Sequence, residues 1–171
     1  FPKLSMKTHE STMSDEQFRD YLVAYKKDLA KKNSRTPFDL ARRYAGTRLR
    51  FPQNDDLKTY STKMAQLMQT IQSYPTQKHY AYSAFFEKRG DQGVLGMAKA
   101  LETLGYERLT PEKTTSGLRP KKRYCLLTTT QIPDKRDVAK LLKVFNHDSN
   151  RDGELCHVML ASQKFNEGLD L

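Results

Sequence analysis

Apolar residues recur at helical spacing near the start of the chain. Ser14 precedes this stretch as a capping residue, and Asp15 and Glu16 stand where the positive end of a helix dipole favours acids. The apolar positions that follow are Phe18, Tyr21, Leu22, Tyr25 and Leu29. Their spacing predicts an α-helix that runs to about Lys32.

Two further helices are predicted before residue 77. Pro37 is typical of a helix start, and the short stretch that it opens ends near Gly46. Apolar residues from Leu57 to Ile71 then follow the period of an amphipathic helix, which Pro75 ends. We therefore expect residues 1–76 to be mainly helical.

The pattern changes after Pro75, because short apolar or aromatic runs now alternate with amphipathic stretches. The runs that suit strands are His79–Phe86, Tyr106–Leu109, Arg123–Thr129 and Leu155–Ser162. Helical spacing covers Val94–Leu104 and a stretch behind Asp134 that carries Val138, Leu141, Leu142 and Phe145. The predicted order over residues 77–171 is strand, helix, strand, strand, helix, strand. Nearly continuous apolar strands between amphipathic helices predict an α/β fold with a mostly parallel sheet covered on both faces.

Charge favours a polyanionic partner. The chain has 171 residues, with 30 Lys and Arg against 20 Asp and Glu, for a formal net charge of +10. A surplus of this size favours nucleic acid or an anionic membrane surface, although a basic protein with neither partner is the simpler alternative. The surplus is +6 over residues 1–76 and +4 over residues 77–171, which argues against a single basic arm.

Cysteine usage and hydropathy indicate an intracellular, reducing compartment. Cys125 and Cys156 both lie within apolar runs, where reduced core thiols are the usual state, and two cysteines make no disulfide framework. No apolar stretch approaches the ~18–20 residues that a membrane-spanning helix needs, so no membrane partner is predicted. Phe1 stands where a new chain would have Met, which we interpret as excision from a longer protein.

Motifs of independent catalysis are missing from the sequence. It contains neither the Gly-x-x-x-x-Gly-Lys-Ser/Thr phosphate loop nor Gly-x-Gly-x-x-Gly, and its four histidines lack metal-ligand spacing. Residues 148–153 resemble the start of a calcium-binding loop, but its twelfth position is Met159 rather than Glu, so a turn is the better interpretation. We predict no catalytic residue and no metal ligand.

The last fourteen residues carry the strongest candidate chemistry. An apolar strand ends at Ser162 and leads into a turn containing Gly168 and Asp170. Parallel sheets bind ligands beyond the carboxyl ends of their strands. There the hydroxyl of Ser162 would reach a phosphate oxygen, Gly168 would permit close backbone approach, and Asp170 would accept from a ribose hydroxyl or a cation. An ordinary strand-to-helix loop explains the segment equally well.

A second candidate is the basic loop over residues 110–121 and its flank. Its cations are Lys113, Arg119, Lys121, Lys122 and Arg123. Such a cluster is a candidate phosphate-binding element. A surface loop without a ligand is the alternative, and we favour it slightly.

The order of these motifs resembles that in superfamily 2 helicases. The matches to motif V are Ala161, Ser162, Gly168, Leu169 and Asp170. His79–Ser83 resembles motif IV, and Leu104, Gly105, Tyr106, Arg136, Phe145 and Asn146 match the intervening positions. The spacing is similar to that in helicases and DNA-dependent ATPases of large nucleocytoplasmic DNA viruses, which are related to Swi/Snf-type remodellers. Residues 1–32 resemble the inter-lobe stretch of these proteins more loosely.

The resemblance implies that residues 77–171 are part of a second RecA-like lobe, from motif IV to motif V, and that residues 1–76 form an inter-lobe segment. Motif VI and the first lobe, with its phosphate loop, are missing. The intact parent would use ATP and Mg²⁺ to move on nucleic acid, with DNA favoured over RNA. This chain alone would bind neither cofactor and would be inactive. A viral parent would place it in a viral factory or virion.

By the same resemblance, Ser83 and Ser162 would contact the nucleic-acid backbone. Glu167, Gly168 and Asp170 would lie near the ATP site between the lobes, although many relatives have Arg where this chain has Glu167. The rival hypothesis is a non-enzymatic basic module, in which residues 1–76 dock nucleic acid or protein and the α/β part is scaffold.

Overall fold

The computed structural model describes residues 6–31, 39–46, 56–83, 92–115, 117–128, 130, 132, 134–162 and 165. The α-helices are α1 (Asp15–Leu29), α2 (Asp39–Gly46), α3 (Leu57–Tyr60), α4 (Thr62–Ser73), α5 (Gly93–Thr103) and α6 (Lys135–Phe145). The strands are β1 (His79–Ser83), β2 (Glu107–Arg108), β3 (Arg123–Leu127) and β4 (Val158–Ser162). Short 3-10 helices span Pro111–Thr115 and Asp148–Asn150. Among the described helices, none has the length and apolar character that crossing a membrane requires.

The four strands form one parallel sheet in the order β1-β4-β3-β2. The prediction of an α/β fold with a parallel sheet is confirmed, as is the predicted succession of strands and helices after residue 77. The arrangement is consistent with a partial RecA-like fold. Strand β1 ends at Ser83, so residues 84–86 of the predicted first strand lie outside the described residues.

Helices cover both faces of the sheet. The two inner strands are buried along their whole length, because alternate side chains enter different cores. One core joins the sheet to α4 and α5 and contains Met68, Ile71, Leu101, Leu126 and Leu160. The other joins it to α6 and contains Cys125, Leu127, Leu141, Phe145 and Met159. Nearly continuous apolar strands are therefore explained by burial on two sides.

The third predicted helix is interrupted. Ser61 takes an extended conformation, with φ −166° and ψ 116°, and separates α3 from α4. Its hydroxyl accepts the backbone N–H of Met64 at 3.1 Å and donates to the carbonyl of Gly46 at 2.7 Å. The prediction of one continuous helix was wrong, because this serine caps a new helix and ties it to the end of α2.

Helix α1 is confirmed, but its apolar side is largely exposed. Phe18 is 48% exposed and Leu29 is 56% exposed. The buried side carries Gln17, Ala24 and Asp28. The Gln17 side chain donates to the carbonyl of Tyr44 at 3.1 Å, and a carboxylate oxygen of Asp28 accepts the backbone N–H of Ala41 at 2.8 Å. Polar contacts with α2 therefore determine which side of α1 is buried.

The turn before β4 is held by one side chain, that of the fully buried Asn150. Its amide nitrogen donates to the carbonyls of Phe145 and Cys156, each at 3.0 Å. Its oxygen accepts the backbone N–H groups of Leu155 at 2.8 Å and Cys156 at 2.9 Å. Gly153 completes the turn at φ +83°, a conformation that glycine adopts readily. The interpretation of residues 148–153 as a turn is thus confirmed.

Candidate functional site

Three hydroxyl side chains end three neighbouring strands at the carboxyl edge of the sheet. Ser83 ends β1 and is the direct register partner of Ser162, which ends β4. Thr128 follows Leu127, the register partner of Ala161, and so continues beside Ser162. Neighbouring strands lie about 4.8 Å apart, so the three residues form a short row. The resemblance to helicases had named Ser83 and Ser162, and the parallel pairing brings these two together.

The row faces the α5 side of the sheet. Residues two apart on a strand share a face, so Ser83 lies on the side of Ala81, and Ser162 lies on the side of Leu160. Ala81 and Leu160 both belong to the core beneath α4 and α5. Ser83 is half-buried, whereas Ser162 and Thr128 are buried. A ligand at this edge would therefore reach Ser83 most directly.

Thr128 was missed by the sequence analysis. The predicted strand ran to Thr129 and so included it, whereas β3 ends at Leu127. Its position in the row depends on β3 pairing with β4, which are separated by α6. The change from apolar residues to threonines after Leu127 is the feature that would have identified the strand end.

The basic loop lies at the opposite, amino edge of the sheet. Lys113 and Lys121 both contact the carboxylate of Glu107, with nitrogen–oxygen distances of 2.6 and 2.7 Å. Hydrogen bonds from these two lysines lower the pKa of Glu107 from 4.5 to about 2. Arg123 is buried, and its guanidinium donates to the carbonyls of Arg119 at 2.9 Å and Leu155 at 3.3 Å. Three of the five predicted cations are thus engaged within the protein.

Arg119 and Lys122 are exposed and form no ion pair with any residue in the described part of the chain. The ammonium of Lys122 lies 5.9 Å from the centre of the Tyr106 ring. The five-residue inner strands separate this loop by about 16 Å, at ~3.3 Å per residue, from the row of Ser83, Ser162 and Thr128, which we call the serine row. The structure therefore does not bring the two predicted phosphate-binding groups together.

A buried tyrosine–histidine pair also lies at the amino edge. The hydroxyl of Tyr106 and Nδ1 of His157 are 2.7 Å apart, and His157 Nε2 lies 3.3 Å from the carbonyl of Tyr74. These contacts are satisfied when the imidazole is neutral, accepting at Nδ1 and donating at Nε2. Burial lowers the pKa of His157 below its ordinary 6.5. The pair joins β4 to the segments that precede β1 and β2.

The remaining predicted site residues are Glu167, Gly168 and Asp170. All three lie outside the residues that the structure describes. Their assignment to an ATP site between two lobes stays a prediction. Within the described residues, no group of three or more His, Cys, Asp or Glu side chains is arranged to hold a metal ion.

Comparison with known proteins gives one informative similarity. No family model matches the chain. It is 32% identical over 114 residues to a curated protein of Frog virus 3 (isolate Goorha) described as "Putative helicase 009L". The alignment covers 67% of this chain but 11% of the relative, so the chain spans about a tenth of the protein it matches. This similarity supports a helicase-like relationship.

Proposed function

We propose that this chain is part of an ATP-dependent helicase or translocase and contributes one face of its nucleic-acid path. Residues 77–171 would form part of the second RecA-like lobe, and residues 1–76 would form the segment that leads into it. Ser83 and Ser162 would donate hydrogen bonds to phosphate oxygens of the bound strand. Such contacts position a strand without reading its sequence.

The observation that carries this proposal is the register pairing of Ser83 with Ser162. Their strands are separated by 79 positions in the sequence, yet their last residues adjoin at the edge where parallel sheets bind ligands. The similarity to a viral helicase-like protein supports a nucleic acid as the ligand. The net charge of +10 favours the same partner.

ATP and Mg²⁺ would act in the parent protein, between this lobe and the first one. Glu167, Gly168 and Asp170 would respond to the nucleotide from this side. A parent reading frame with a phosphate loop upstream and a Gln-x-x-Gly-Arg-x-x-Arg segment downstream is required. A gene that encodes neither would favour a non-enzymatic basic module.

The direct test measures binding of the chain to fluorescein-labelled oligonucleotides by fluorescence anisotropy over 50–300 mM KCl, using single-stranded DNA, duplex DNA and RNA. With three to five phosphates neutralised by Lys or Arg side chains, log affinity against log salt should have a slope of about −2 to −3.5 for single strands. Ser83→Ala and Ser162→Ala should each weaken binding by about two- to tenfold, the loss expected for one hydrogen bond.

Ser73→Ala is the matched control. This exposed serine lies at the far end of α4, where its hydroxyl donates to the carbonyl of Gln69 at 2.8 Å, and its replacement should leave affinity unchanged. Arg119→Gln with Lys122→Gln tests the amino edge separately. A salt slope that disappears in this double variant, together with wild-type affinity in both serine variants, would place the nucleic acid at the amino edge and contradict the proposal. Affinity that is independent of salt would refute nucleic-acid binding altogether.

A further inference from the structure

A small cavity lies beside Ser83, between the helical segment and the sheet. Its volume is about 130 Å³. Its apolar lining residues are Met64, Leu67 and Met97, which belong to α4 and α5. Its lining also includes Arg43 from α2 and Lys63 from the first turn of α4. The cavity therefore continues the carboxyl edge of the sheet into residues 39–73.

Ser61 links the two helices that carry these cationic residues. Its hydroxyl bonds both to the carbonyl of Gly46, at the end of α2, and to the backbone N–H of Met64, in α4. Gly46 follows Arg43 by less than one helical turn, and Lys63 follows Ser61 by two residues. This fully buried serine consequently holds the helix that carries Arg43 against the helix that carries Lys63.

Charge complementarity identifies the class of ligand. The described residues that line the cavity include two cations, Arg43 and Lys63, and no acidic residue. Lys63 is exposed and forms no ion pair with any residue of the described ranges. Residues of the first turns of α4 and α5 also line the cavity, and the dipoles of these helices add positive potential there. A ligand with an anionic group and an apolar part complements the cations and the methionines of this lining.

We propose that this cavity binds one nucleotide unit of the nucleic-acid strand, with its phosphodiester held by Arg43 and Lys63. The sugar or base of that unit lies over Met64 and Met97. The inference rests on the proposed function, because Ser83 belongs both to the serine row and to the wall of the cavity. It assigns a direct binding role to the helical segment, in contact with the same strand as the sheet.

The test is the double variant Arg43→Gln/Lys63→Gln, compared with the control Lys143→Gln/Arg151→Gln. Both change the net charge by two, but Lys143 and Arg151 are exposed at the end of α6 and in the turn that follows it. Anisotropy with a labelled single-stranded DNA should show about tenfold weaker binding for the cavity variant at 50 mM KCl. Its salt slope should be less steep by about 1.4, because two phosphate contacts at ~0.7 each are lost. The control should retain the wild-type slope. Circular dichroism and urea unfolding establish that each variant is folded.

Competition distinguishes a strand from a free nucleotide. An unlabelled oligothymidylate should displace the probe from the wild-type chain, whereas AMP at millimolar concentration should not. Displacement by AMP at micromolar concentration would overturn the assignment of a strand in favour of a free nucleotide. A cavity variant with wild-type affinity and slope, together with weakened Ser83→Ala and Ser162→Ala variants, would overturn this inference and leave the proposed function standing. No salt-dependent binding by the wild-type chain would refute both.

Discussion

Replacing Asn150 should destabilise the protein more than its position in a surface turn suggests. Asn150→Ala removes four hydrogen bonds of 2.8–3.0 Å from a fully buried side chain. Two backbone N–H groups lose their acceptor, and each buried donor left unsatisfied costs about 1–3 kcal/mol. The carbonyl of Phe145 tolerates the loss better, because it still accepts from the ammonium of Lys78 at 3.0 Å. We expect the free energy of unfolding to fall by about 3–5 kcal/mol, a large part of the ~5–15 kcal/mol typical of a domain.

Urea unfolding followed by circular dichroism measures this loss. With an m-value of about 2 kcal/mol/M, the unfolding midpoint should fall by roughly 1.5–2.5 M. Asp152→Ala is the matched control, since Asp152 is exposed in the same turn and its replacement should change stability by less than ~0.5 kcal/mol. A loss below about 1 kcal/mol for Asn150→Ala would refute the assigned role of the four hydrogen bonds.

Asn150→Asp separates side-chain size from hydrogen bonding. The aspartate keeps the accepting oxygen but turns a second oxygen towards the carbonyls of Phe145 and Cys156, which lose the donor that Asn150 supplied. Because burial and this repulsion would raise the pKa of the new carboxyl, the loss of stability should grow as the pH rises through that pKa. A loss that does not depend on pH would indicate that the turn rearranges.

Three other predictions concern the packing of α1 and the core, the ion pairs of Glu107, and the contact between Tyr106 and His157. Val23→Thr on the exposed side of α1 should change the free energy of unfolding by less than ~1 kcal/mol, whereas Leu101→Ala in the core should lower it by about 2–5 kcal/mol in the same urea assay. The lysine contacts that lower the pKa of Glu107 stabilise the protein above pH 4.5, and this stabilisation is lost as the pH falls towards 2. The difference in the free energy of unfolding between wild type and Glu107→Gln should therefore shrink over that range in pH-dependent denaturation. The neutral imidazole of His157 contributes to the free energy of unfolding above pH 6.5, and this contribution declines below that pH. Tyr106→Phe should raise the pKa of His157, measured by NMR titration, and lower the free energy of unfolding by about 1–2 kcal/mol.

The sequence alone determined the features that depend on neighbouring residues. Ser14 caps α1 by accepting the backbone N–H of Gln17 at 3.1 Å, and Asp134 caps α6 by accepting that of Arg136 at 2.8 Å. Both donors lie within three residues of the acceptor, so local sequence is sufficient to predict them. The parallel sheet was predictable for a related reason, since strands buried on both faces must be apolar at nearly every position.

The tertiary structure decided what depends on residues far apart in the chain. Helical spacing identified α1, but contacts of Gln17 and Asp28 with α2 determined which side is buried. From the sequence, the basic loop is one cationic cluster. In the structure, the carboxylate of Glu107, in β2, contacts both Lys113 and Lys121. The apposition of Ser83 with Ser162 likewise required the pairing of strands separated by most of the α/β region. Periodicity records which positions are apolar, but the partners of polar groups are set by packing across long sequence distances.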